Sequence, residues 1–194
     1  MNAPMNASVN APMKRHRLSV SEYYAMARHG ILAQDARVEL IDGEIIDMAP
    51  IGISHASIVS LLTGRLARAT GDDIVISPQN PVRLSDFSEP QPDLSLLRPR
   101  VDGYPTVHPS ADEVVLMIEV AHSSLAYDRD VKLPLYARHG VPVVWLVDVA
   151  AQGLTIHARP DGECYTLVEA VQDLVAVPVG VLDGVTVDLS GLFA

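Results

Sequence analysis

Cysteine and long apolar runs are scarce in this chain, and both absences narrow the class of protein. Cys164 is the only cysteine, so an internal disulfide is excluded and a reducing compartment is favoured; we therefore expect a cytoplasmic location. No apolar run approaches the ~20 residues of a membrane-spanning helix. The N-terminus also lacks the apolar segment of a secretory signal. We expect no membrane partner.

Basic residues are also few. The 194 residues include 14 Lys and Arg against 24 Asp and Glu, which gives a formal net charge of −10. This balance argues against a broad nucleic-acid-binding surface. A small metal site that handles phosphate is compatible with it, because a bound cation inverts the local electrostatics.

Hydrophobic residues make up 48% of the chain, which is enough for a globular core at this length. The first residues differ from the rest. Residues 1–13 repeat Asn-Ala-Pro without periodicity, and a basic patch of Lys14, Arg15 and Arg17 follows. Such a composition is typical of disorder. We predict a disordered tail over residues 1–17 and a single domain over residues 18–194.

The first half of that domain alternates helix and strand signals. Ser19 and Glu22 form a capping-box pattern, and Asp42-Gly43 lies between two strand-like runs, as in a hairpin. Apolar periodicity and turn residues place the other elements. The prediction comprises helices over residues 20–29 and 55–70, a hairpin over 38–48, and strands over 74–77 and 94–97.

The most informative stretch runs from residue 114 to residue 148. Residues 114–120 are almost all apolar, as in a strand that is buried on both faces. Asp128 is a predicted N-cap for a helix over residues 129–139, and residues 143–147 form a second strand. This order predicts a crossover between parallel strands, and ligands of open α/β sheets bind beyond the carboxyl ends of the strands.

The C-terminal part contains antiparallel strand signals. Residues 153–158 and 165–168 flank the turn Asp161-Gly162, and residues 174–189 contain short Val-rich strands. The whole pattern predicts an α/β (α+β) fold with a mixed β-sheet flanked by helices and an antiparallel C-terminal extension. Residues 175–187 are more apolar than one small domain needs, so we expect them to form the interface of a homodimer.

Two acids stand at the ends of apolar strands, where an ionised carboxylate is costly unless it is paired. Asp93 precedes one apolar run, and Glu119 lies near the end of another. Two carboxylates on neighbouring strands can hold one hard cation such as Mg²⁺ or Mn²⁺. Lys132, on the same side of the crossover, can orient or deprotonate a water that attacks phosphate.

Each of these residues also has a structural interpretation. Asp93 can cap the turn after Pro92. Lys132 can be a solvated helix residue that pairs with Asp128 four residues earlier. An acid inside a buried strand is harder to explain in this way, so Glu119 is the strongest of the candidates.

An ordered set of motifs resembles a known family. The set comprises Val38-Glu39-Leu40-Ile41-Asp42-Gly43-Glu44-Ile45, His55, Gln91-Pro92-Asp93-Leu94, Ile118-Glu119-Val120, Tyr127-Asp128-Arg129 with Lys132, and Trp145-Leu146-Val147-Asp148. It is similar to the Uma-two family of the PD-(D/E)XK nuclease superfamily over residues 19–157. The resemblance implies a restriction-endonuclease-like fold, DNA as the partner and Mg²⁺ or Mn²⁺ as the cofactor.

The resemblance also implies which residues form the site. Asp93 and Glu119 match the two metal-binding acids. Glu39 and His55 match positions that can contribute through water, although either can equally be structural in a hairpin or at a helix start.

One position departs from the superfamily pattern. The lysine usually lies two residues after the second acid, where this chain has Ala121. In the resembled family that lysine has moved to the following helix, which here means Lys132. Its role is electrostatic, so we expect Lys132→Ala to slow cleavage and to spare the fold. The loop residue His122 is a further possible supporting residue.

Two functions follow from these residues. The first is a metal-dependent endonuclease that hydrolyses phosphodiester bonds in DNA. The alternative is a catalytically inactive nuclease-fold module, associated with mobile elements, that binds nucleic acid or a protein partner. The complete acid–acid–lysine set favours the first function, and the net charge of −10 favours the second.

Overall fold

The protein is described by a computed structural model that covers residues 14–33, 35–101 and 103–194. Its helices and strands follow in chain order. They are α1 (Val20–Arg28), β1 (Val38–Ile41), β2 (Glu44–Asp47), α2 (Ile53–Thr70), β3 (Val75–Pro78), β4 (Leu94–Leu97), β5 (Val114–Ala121), α3 (Leu125–Tyr127), α4 (Leu133–Arg138), β6 (Val143–Asp148), β7 (Gly153–Asp161), β8 (Cys164–Ala170), β9 (Val177–Pro178) and β10 (Thr186–Val187).

Six of these strands form one mixed sheet in the order β3-β4-β5-β6-β7-β8. β5 and β6 are parallel, and every other neighbouring pair in this sheet is antiparallel. β5 lies inside the sheet, and all eight of its residues are buried, as its continuous apolar run predicts. The predicted mixed sheet with flanking helices and an antiparallel C-terminal part is confirmed.

The first hairpin is a separate two-stranded unit of β1 and β2. Its turn residues, Asp42 and Gly43, both have positive φ angles of 51° and 83°, as a tight turn between twisted strands requires. A Cβ at Gly43 would lie 2.6 Å from the Cβ of Arg17, so only glycine fits there. Arg17 also donates through Nε to the Asp42 carbonyl at 2.8 Å.

The two faces of the six-stranded sheet carry different layers. α2 and the C-terminal segment pack on one face, and α4 packs on the other. Val177, Val179 and Val187 are at most 4% exposed. Val175 and Val181 of the same segment are 58% and 45% exposed, so the sheet takes up part of this apolar surface and the interface over residues 175–187 stays a prediction.

The crossover between β5 and β6 differs from the predicted helix. Helical structure begins at Leu125, and a π-helical segment, Asp128–Lys132, joins α3 to α4. Asp128 is therefore not an N-cap; it is buried inside the helical stretch. Pro134 explains the wide turn, because its ring and missing N–H disfavour a regular α-helical turn around Asp130.

Two further expectations concern the ends of the chain and the membrane. Most of the predicted tail, residues 1–13, lies outside the described residues. Within residues 14–33, 35–101 and 103–194, no helix is both long and apolar enough to cross a membrane.

Candidate active site at the sheet edge

The antiparallel pairing of β4 and β5 brings the two predicted acids together. Leu94 is the register partner of Ile118, so one further step sets Asp93 opposite Glu119. Opposite residues in an antiparallel pair point to the same face of the sheet. Asp93 Oδ2 also accepts a hydrogen bond from the Val120 backbone N–H at 2.8 Å, which fixes the carboxylate beside β5.

His55, at the start of α2, reaches the same acid from the other side. Its Nε2 lies 2.8 Å from Asp93 Oδ1, and both side chains are about 15% exposed. Each oxygen of Asp93 thus has one protein partner. A carboxylate oxygen has two acceptor sites, so Asp93 keeps capacity for a cation or a water.

Lys132 lies between two buried glutamates. Its Nζ is 3.2 Å from Glu119 Oε1 and 3.3 Å from Glu39 Oε2, and the residue is 5% exposed. The π-helical segment carries Lys132 into this position, and such segments are frequent at functional sites. Lys132 therefore does reach Glu119, as the sequence predicted, but as a buried group and not as a solvated one.

Other groups hold the two glutamates in place. The Gln91 backbone N–H donates to Glu39 Oε2 at 3.0 Å. The Tyr136 hydroxyl donates to Glu119 Oε1. The first hairpin thus meets β5 and the crossover that follows it. Together they supply the buried cluster of Glu39, Glu119, Lys132 and Tyr136.

Burial and charge shift the pKa values in this cluster. Burial raises the pKa of Glu119 well above its usual value, and the charges of Asp128 and Asp93 add to the rise while Lys132 opposes it. Burial by itself would lower the pKa of Lys132. The attraction of Glu119, Glu39 and Asp128 outweighs it, so the pKa of Lys132 is raised and the ammonium is retained.

Asp128 is a site residue that the sequence interpretation missed. It is 3% exposed and accepts a hydrogen bond from Ser124 Oγ at 2.6 Å. Burial raises the pKa of its carboxyl group. The misleading signal was its position before a helical pattern, where an aspartate is usually a cap. Pro134 lies inside that pattern and indicates an irregular helix. This signal could have predicted that Asp128 is not a cap.

The cluster opens into a cavity of about 310 Å³. The residues named above contribute the acids Glu39, Asp93, Glu119 and Asp128 to its lining, together with Lys132 and His55. His122 also lines the cavity but is exposed. Carboxylates outnumber cationic groups there, so the cavity favours a cation together with any anionic ligand.

The donor set decides which metal would fit. Within the described parts of the chain, no group of three or more His, Cys, Asp or Glu is arranged to hold a metal ion. A pair of neighbouring carboxylates suits Mg²⁺ or Mn²⁺, since Mg²⁺ takes one or two carboxylates and completes its shell with water and substrate phosphates. Asp93 and Glu119 are the residues that fit this description.

Comparison with known proteins agrees with this architecture. The mixed sheet flanked by helices is a restriction-endonuclease-like fold. The two acids meet at one end of the inner strands β4 and β5. The crystal structure of a "putative nuclease belonging to DUF820" from Anabaena variabilis is similar, with a TM-score of 0.69. The two proteins are 16% identical, and the match covers 91% of this chain and 97% of the other.

The family follows from the sequence. The model of the Uma2 family, described as "Putative restriction endonuclease", matches residues 20–190. The chain belongs to this family, and the resemblance inferred from the motifs is confirmed. No curated protein matches this sequence.

Proposed function

We propose that this protein is a metal-dependent endonuclease that hydrolyses phosphodiester bonds in DNA. The observation that carries the proposal is the buried lysine held between Glu39 and Glu119, beside Asp93, at the wall of a cavity. A buried lysine among carboxylates is costly to build for stability alone. The family and the similar fold support a nuclease.

The residues would divide the chemistry as follows. Asp93 and Glu119 would hold Mg²⁺ or Mn²⁺, which supplies charge neutralisation at the phosphate and a more acidic bound water. Lys132 would orient the attacking water and stabilise charge on the phosphate oxygens. Glu119, Glu39 and Asp128 raise the pKa of Lys132, which supports the orienting role of an ammonium over the role of a general base.

Glu39 and His55 would act through the other groups. Glu39 would position Lys132, because its carboxylate is the second anchor of the ammonium. His55 would orient Asp93 through the contact between Nε2 and Oδ1. His122 would be a supporting residue at most, since it is exposed.

The test is cleavage of supercoiled plasmid, single-stranded DNA and branched DNA with Mg²⁺ or Mn²⁺. We expect cleavage of at least one substrate, loss of it with a chelator, and a loss of at least about 10²-fold in Asp93→Asn. Asp161→Asn, an exposed acid at the end of β7, is the matched control and should cleave as wild type does. Metal binding without cleavage of any substrate would favour the inactive nuclease-fold module.

We also propose that the protein is a homodimer, although through a different surface from the one first expected. β8 ends the six-stranded sheet, and its Leu167 and Val168 are 36% and 57% exposed. An exposed sheet edge with apolar side chains can pair with a second copy. Light scattering should give a dimer mass at tens of micromolar protein, and Val168→Lys should give a monomer. A monomer mass for wild type would refute this.

Residues 18–194 would form the functional domain. The protein would act in the cytoplasm. The thiol of Cys164 is free and exposed, which suits a reducing compartment. Limited proteolysis should cut ahead of Arg17, which contacts the Asp42-Gly43 turn, and leave the remaining domain intact. Early cuts inside residues 18–194 would argue against a single unit.

A further inference from the structure

Two buried polar atoms beside the catalytic cluster have no hydrogen-bond partner. In the part of the chain that the structure describes, these are the Tyr127 hydroxyl and His55 Nδ1. Both residues line the cavity. Buried polar groups are nearly always satisfied, so at a cavity their partner is a water or a ligand that replaces it.

The Tyr127 hydroxyl is the more informative of the two atoms. Tyr127 is the last residue of α3, directly before the π-helical segment. The charges of Glu39, Lys132, Asp128 and Glu119 all act on it, yet it donates to none of these carboxylates. The fold thus places an unused O–H donor next to four charged groups.

The state of this hydroxyl decides what it can bind. Burial raises the pKa of Tyr127, and the negative charge of Glu39 adds to the rise, so the phenol stays a neutral donor at working pH. A neutral phenol can donate its proton to an acceptor oxygen, which an ionised phenolate cannot do. In a cavity with an excess of carboxylates, an acceptor that is itself anionic would enter together with a cation.

We infer that the Tyr127 hydroxyl donates to a non-bridging phosphate oxygen of the bound substrate and forms a phosphate subsite with Lys132. The ammonium of Lys132 has three donors, and Glu39 and Glu119 account for two of them. The third is left for the same phosphate. This inference rests on the proposed nuclease function for the identity of the substrate, and it makes Tyr127 a phosphate-binding residue.

The experiment uses Tyr127→Phe, which removes only the hydroxyl. The probe is thymidine 3′,5′-bisphosphate, titrated by calorimetry into the full chain with Ca²⁺ present. We expect wild type to bind and Tyr127→Phe to bind about tenfold more weakly, as for one lost hydrogen bond to a charged group. The affinity for Ca²⁺ alone should be the same in both proteins.

Tyr165→Phe is the matched control. Its hydroxyl donates to the Val141 carbonyl at 2.9 Å, and the residue does not line the cavity. Tyr165→Phe should lower the Tm and leave binding of the bisphosphate unchanged. Tyr127→Phe should do the reverse, with a Tm equal to or above that of wild type, because its hydroxyl has no partner to lose.

Several outcomes would overturn the inference. These are equal binding by wild type and Tyr127→Phe, no binding of the bisphosphate by wild type at millimolar concentration, or a Tm loss in Tyr127→Phe equal to that of the control. A failure of the nuclease proposal would give a different result. If bisphosphate binding depends on Tyr127 but no DNA is cleaved, the proposed hydrolysis is refuted and the phosphate subsite still stands.

Discussion

Lys132→Ala is expected to lower the free energy of unfolding by about 3–5 kcal/mol, as when one partner of a buried ion pair is removed. The reason is that Glu39 and Glu119, both 3% exposed, lose the ammonium that lies between them. Without it the two glutamates must take up protons or repel each other. The loss should therefore be larger at pH 8 than at pH 5. Chemical denaturation at both pH values measures it.

This expectation replaces the one drawn from the sequence, where Lys132→Ala was to spare the fold. The burial of the lysine is the reason for the change. Arg129→Ala is the matched control, because Arg129 is in the same π-helical segment but forms an exposed pair with Asp130. An exposed pair of this kind contributes little to stability, because solvent and salt screen its charges. Equal stability losses in both variants would contradict the buried cluster.

Neutralising the whole cluster separates stability from catalysis. The triple variant Glu39→Gln, Glu119→Gln, Lys132→Met removes the three charges that face one another and should recover part of the stability, as buried ion clusters replaced by neutral groups do. It should nevertheless stay inactive. For Lys132→Ala, cleavage below its unfolding temperature should fall by about 10²-fold or more. Arginine should rescue poorly, because its planar fork does not fit a site built for a point charge.

Glu119→Gln is expected to weaken Mn²⁺ binding at least about tenfold, since a metal ligand must be an ionised carboxylate. The raised pKa of Glu119 adds a second expectation. The folded protein binds this proton more tightly than a free carboxyl group does, so Mn²⁺ binding near the folded pKa should release a proton and strengthen as the pH rises. Calorimetry in buffers of different ionisation enthalpy measures this release.

The controls for this prediction are simple. Glu119→Gln should show no buffer dependence of its residual heat, and Glu169→Gln, an exposed acid on β8, should behave as wild type. Unchanged Mn²⁺ affinity in Glu119→Gln would remove Glu119 from the metal site. A buffer-independent wild-type enthalpy would show that Glu119 is already ionised before the metal arrives.

The same pKa shift sets the pH dependence of stability in the metal-free protein. The folded pKa of Glu119 lies well above 4.5, the ordinary value of a glutamate, so the folded state binds this proton more tightly than the unfolded state. That stabilisation is complete below 4.5 and is lost as the pH rises through the folded pKa. The free energy of unfolding of Glu119→Gln should therefore equal that of wild type at low pH and exceed it at neutral pH. If wild type instead became more stable than Glu119→Gln as the pH rises, the raised pKa of Glu119 would be contradicted.

Local patterns were enough to predict most of the elements. The Asp42-Gly43 turn, the capping box at Ser19 and the apolar run of β5 each depend on a few neighbouring residues, so the sequence alone determined them. The pairing of Asp93 with Glu119 was also predictable, since both acids stand at ends of apolar strands. The motif set was sufficient to place the chain in its family.

The remaining features were decided by tertiary contacts. The pairing of Glu39 with Lys132 joins a hairpin to a distant helix, and no local pattern reports which side chain fills the space between two glutamates. The burial of Asp128, the π-helical segment and the packing of the Val-rich C-terminus depend in the same way on which surfaces meet. The Tyr127 hydroxyl is the clearest case, because its lack of a partner among the described residues becomes visible only when the neighbouring atoms have their places.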